Sequence, residues 1–220
     1  MTTQLLRACI VGHSFVRRLG EDLYVSEENG RQPPPGIAAM SLEIDNLYHK
    51  VHLFGQDNFT VQQMREDIYK VGALRPHCVI INCGSNDLTT RLCDVGKLID
   101  QLVAYAEFLS HGCDVIHVAV LGVLDRSKCR GVSPEDFQKR AFEFNGKLKD
   151  AVKHLHGIEY VNMKGFWRDD LGEKVPVKRW SDDGIHPATS IARRKHGIDK
   201  YRRIIRRCLL TGAARAHRRR

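Results

Sequence analysis

The chain has 220 residues, 42% hydrophobic and 28% charged, with a formal net charge of +9. That length suits one domain, and the composition is that of a chain with a packed core rather than a disordered or collagen-like one. No apolar run approaches the roughly 20 residues that span a bilayer, and Met1 to Arg7 does not read as a secretory signal, so cytoplasm is the expected compartment.

Residues 7–12 predict a first strand, and 15–24 a helix that begins just after Ser14. Residues 25–41 carry Pro33-Pro34-Pro35-Gly36 and predict a loop. A second strand is expected at 49–54, ended by Gly55, then a helix over 60–71 capped by Thr60. Cys78 to Asn82 reads as a third, buried strand. The helix at about 94–110 places Leu98, Leu102, Tyr105 and Leu109 at spacings of four, three and four. Val115 to Leu121 is a fourth strand. Ser133-Pro134 opens a long helix to about His154, with serine at the cap and proline in the first turn. Ile158 to Val161 is a short fifth strand, and a last helix is expected from about 190 to 210. The alternation predicts an α/β fold: a three-layer α/β/α sandwich around a mostly parallel five-stranded sheet.

Three short islands stand out: Gly12-His13-Ser14, Gly84-Ser85-Asn86-Asp87 and Asp183-Gly184-Ile185-His186. In a parallel sheet, sites form beyond the C-terminal ends of the strands, where Ser14, Gly55 and Asn86 all fall. A serine hydroxyl needs a base within hydrogen-bond reach, and His186 can supply it. Asp183, three residues earlier on a glycine-containing turn, can hold the other ring nitrogen. The Ser14 N–H, the Gly55 N–H and the Asn86 amide could serve an oxyanion, with glycine at 55 letting substrate approach the backbone. Taken singly, each island has a plainer reading, as an N-cap or a turn.

The islands resemble those of the SGNH (GDSL-type) hydrolase superfamily, whose hallmark residues are Ser, Gly, Asn and His. The resemblance covers Val11 to Pro187 and implies an SGNH/flavodoxin-like fold. It implies Ser14 as nucleophile, Asp183 and His186 as its acid and base, and Ser14, Gly55 and Asn86 as the oxyanion hole. It also implies an ester substrate, small-molecule or carbohydrate, cleaved through an acyl-enzyme without metal or organic cofactor. The chain departs from the pattern at His13, where an aspartate is usual. Its neighbouring position turns His13 away from the Ser14 hydroxyl. The absence of a long apolar lid segment favours a short acyl group such as acetyl.

The seven cysteines are scattered without a Cys-x-x-Cys pair, which argues against a zinc ribbon or thioredoxin-type centre. The positive charge is local. Residues 193–220 hold twelve Lys/Arg and one acid, which leaves the remainder near neutral. The expected division is therefore an esterase domain over 1–211 and a basic tail over 212–220. A tail of that charge fits non-specific nucleic-acid contact. The alternative function is a catalytically weak fold of this type acting as a nucleic-acid-binding or interaction module, as in retroelement-type esterase domains.

Overall fold

The structure, a computed structural model, describes residues 5–27, 37–38, 42–163, 166, 185–186 and 197–219. The strands are β1 (Leu6–Gly12), β2 (Ile37–Ala38), β3 (Tyr48–Gly55), β4 (Cys78–Asn82), β5 (His117–Leu121) and β6 (Ile158–Val161). The helices are α1 (Ser14–Glu27), α2 (Met64–Ala73), α3 (Val95–Glu107), α4 (Pro134–Val152) and α5 (Ile198–Arg218). Their order in the sheet is β2-β3-β1-β4-β5-β6. The five longer strands pair in parallel, as expected. β2 adds an antiparallel edge through Ile37 and Ala38, inside the stretch expected as loop. Two residues just past the prolines suffice for that, because an edge strand needs partners on one side only.

Alternation along each strand sorts the core into two layers. Ala8 and Ile10 of β1 face α1 and α5, whereas Cys9 and Val11 face α2, α3 and α4. β4 is buried at every position, as befits a central parallel strand covered on both sides. Ser133 caps α4 by accepting from the Asp136 N–H at 3.0 Å. Thr60 and Gln63 bond reciprocally ahead of α2: the Thr60 hydroxyl accepts from the Gln63 N–H, and the Gln63 carbonyl oxygen from the Thr60 N–H.

The last helix differs from expectation. α5 continues to Arg218, so residues 212–218, expected as a tail, form its last two turns. Gly212, Ala213 and Ala216 are buried against the sheet. A Cβ at 212 would stand 2.8 Å from Cys78 Sγ, so close packing explains the glycine. Arg215 anchors the segment. It lies 2.9 Å from His117 Nδ1, and its Nη2 donates to Glu159 at 3.3 Å.

β3 and β4 flank β1, so the chain leaves β1 first to one side and then to the other. That switch opens a crevice at the C-terminal ends of the strands. The turns after β1 and β4, which carry Ser14 and Asn86, leave the sheet side by side at that end.

Candidate active site

Ser14 follows β1 at the first residue of α1 and is 6% exposed. Its Oγ lies 2.5 Å from His186 Nε2, although 172 positions separate the two residues. The Phe15 ring packs on the His186 ring at 5.5 Å and edge-on to His13 at 4.6 Å. Asp183 lies outside the described residues, as does Asp182.

Asn86 opens a short 3₁₀ turn after β4. Its Nδ2 donates to the Phe59 carbonyl at 3.0 Å, and its Oδ1 accepts from Arg126 Nη2 at 2.8 Å. One Nδ2–H is left for a further acceptor. Asp87 reaches across rather than bracing its own turn alone. Both of its carboxylate oxygens accept from the Val61 N–H, at 3.1 and 3.2 Å, and burial raises its pKa. The 56–61 loop is thus pinned to the Asn86 turn from both residues.

Gly55 ends β3 opposite Gly12. A Cβ there would stand 2.4 Å from the Arg17 backbone nitrogen and 2.9 Å from the Val16 carbonyl carbon. The seating of α1 on β3 accounts for its glycine. In this parallel pairing the Gln56 N–H donates to the Gly12 carbonyl at 3.2 Å, which turns the Gly55 N–H to the side of β3 away from β1.

His13 is 2% exposed and its pKa is depressed to about 3. Burial is the main cause, followed by the nearby positive charge of Arg126 and by His186. It is therefore a neutral ring. Its Nδ1 accepts from the Phe15 N–H at 3.4 Å, and its side chain bonds to Asn82. Asn82 Nδ2 in turn donates to the Tyr201 hydroxyl at 2.6 Å. A buried chain of polar groups therefore runs from α5 to the residue beside Ser14.

Arg126 was not legible as a site residue in the sequence. It lies past the end of β5, is 6% exposed, and stacks its guanidinium 5.5 Å from the Phe137 ring centre. The only signal for it was its place on the next strand-to-helix turn beyond Asn86. Arg126 bonds Asn86 and bears on His13, while His186 bears on His13 and bonds Ser14. The turns after β1, β4 and β5 and the 185–186 segment therefore form one cluster.

Part of the basic charge of α5 is engaged within the fold. Arg202, Arg206 and Arg215 pair with Asp199, Glu43 and Glu159. Arg203, Arg207, Arg218 and Arg219 are exposed. No helix among the described residues is long and apolar enough to cross a membrane.

A family model described as GDSL-like Lipase/Acylhydrolase family matches residues 10–194. No curated protein matches the chain. Among solved structures, a GDSL-like lipase from Bacteroides thetaiotaomicron is similar at 18% identity and a TM-score of 0.66, over 93% of this chain and 88% of that one. An acetylxylan esterase from Geobacillus stearothermophilus, solved as a catalytic mutant, is similar at 13% identity and a TM-score of 0.64, over 97% and 96%.

Proposed function

This chain belongs to the GDSL-like lipase/acylhydrolase family, and from that premise we propose that it is a serine esterase acting on a short acyl ester. The observation that carries the reading is the 2.5 Å approach of Ser14 Oγ to His186 Nε2. His186 takes the Ser14 proton as Oγ attacks the ester carbonyl, and returns it to the leaving alcohol. The acyl group stays on Ser14 until water, activated by the same imidazole, releases it as the acid. Asp183, three residues before His186 in the sequence, is the acid we assign to the second ring nitrogen. The free Nδ2–H of Asn86 and the Ser14 N–H receive the oxyanion. Gly55 contributes by seating the start of α1.

A carbohydrate acetate is the first natural type of substrate to try, since one solved relative in fold is an acetylxylan esterase. Seven cysteines, none in a disulfide, fit a reducing compartment such as the cytoplasm. The binding-module alternative rests on His13 in place of the usual aspartate and on the basic C-terminus, part of whose charge is spent inside the fold.

The test is hydrolysis of p-nitrophenyl esters of increasing chain length by the wild-type chain and by Ser14→Ala. Turnover should be fastest on the acetate and fall by at least about 10³-fold in the variant, with its melting temperature kept. Turnover that survives in Ser14→Ala would sink the mechanism.

A further inference from the structure

We infer that Arg126 is a positioning residue for the oxyanion donor: its guanidinium orients and polarises the Asn86 amide toward the carbonyl oxygen of an ester held at Ser14. The inference rests on the esterase reading above.

The orientation follows from donor and acceptor inventory. Arginine can only donate and a backbone carbonyl can only accept. Asn86 Oδ1 must therefore face Arg126 Nη2, and Nδ2 must face the Phe59 carbonyl. The flipped amide would set NH₂ against guanidinium and oxygen against oxygen. Two fixed partners leave one Nδ2–H, with one direction, for substrate.

The polarisation follows from charge and burial. A hydrogen bond from an ionised donor is roughly twice as strong as a neutral one. Here it draws electron density toward Oδ1 and leaves the Nδ2–H a better donor. Arg126 is also nearly sealed from water at 6% exposure. In such surroundings its charge is poorly screened, so it also favours the negative charge that develops on the substrate oxygen. Phe137 fixes the guanidinium from behind. His13, next to the same charge, is held neutral and does not compete with it.

The experiment is a double-mutant cycle on p-nitrophenyl acetate, with Arg126→Met and Arg126→Lys each made alone and with Asn86→Ala. Melting temperatures are recorded for all. Arg126→Met should lower kcat about 10- to 100-fold and leave KM within about threefold, a loss smaller than removal of a whole donor. Arg126→Lys should recover part of it. With Asn86→Ala already present, the same Arg126 changes should cost less than about twofold. A folded Arg126→Met with wild-type kcat overturns the inference, and so does an equal loss with and without the Asn86 side chain. If Arg126→Met does not fold, the lysine variant takes its place in the cycle, and wild-type kcat or an equal loss in that variant overturns the inference in the same way. Absence of Ser14-dependent turnover in the wild-type chain overturns the esterase reading and this inference with it.

Discussion

Gly55 lies so close to Arg17 that a Cβ on the glycine would stand 2.4 Å from the Arg17 backbone nitrogen. The neighbouring atom is main chain at the start of α1, so no side-chain rotation relieves the contact. Gly55→Ala should push the first turn of α1 outward and destabilise the fold by about 1–3 kcal/mol. Because Ser14 opens that turn, kcat on p-nitrophenyl acetate should fall as well. Thermal melts and rates measured together check this. An unchanged melting temperature contradicts the packing role.

Truncation after Thr211 should destabilise the fold. It removes Ala213 and Ala216 from the core and Arg215 from Glu159 and His117. Two buried alanines and a partly buried ionic cluster amount to about 3 kcal/mol. The melting temperature should drop by about 5–10 °C. Full stability in the truncated chain would mean that residues 212–218 do not pack as described.

Acid should weaken the fold through two histidines. His13 is held down to about 3, chiefly by burial. His117 is held down to about 4, by burial and then by Arg215. In the unfolded chain both titrate near 6.5. Below about 6.5 the unfolded chain therefore binds protons that the folded chain refuses. The stability from keeping these rings neutral is complete above that pH. It is lost as pH falls toward 4 and 3, at about 1.4 kcal/mol per pH unit for each ring. Urea midpoints followed from pH 7.5 to 4.5 should fall below about 6.5, less steeply in His117→Gln than in the wild-type chain. Parallel profiles for the two would remove His117 from the account.

The sheet was largely legible in the sequence because its strands are short apolar runs bounded by glycine, proline or asparagine. Cys78–Asn82 and Ile158–Val161 match their expected limits at both ends. Ser133 caps α4 because capping is local chemistry. Thr60, expected as a cap, forms a turn with Gln63 ahead of α2, which starts only at Met64. The misses are tertiary. The last helix was expected to end near 210, and its run to Arg218 depends on the close approach of α5 to Cys78 at Gly212. Gly55 stood out as a glycine at a strand end, but whether it meets substrate or α1 depends on how two elements pack. Arg126 carried no motif, and Asn82 and Tyr201, 119 residues apart, meet only in the folded molecule. Ser14 and His186 were legible as a pair because nucleophilic chemistry demands both types. Their 2.5 Å approach is a property of the fold.

The 172-residue span between Ser14 and His186 has a consequence for biosynthesis. In a growing chain Ser14 emerges well before His186, and folding begins with the N-terminal segment. Tyr201, which closes the polar chain behind His13 through Asn82, comes later still. On the esterase reading proposed above, a molecule not yet extended to His186 carries a serine with no base to activate it. On the same reading, competence therefore waits until residue 186 has emerged and met Ser14.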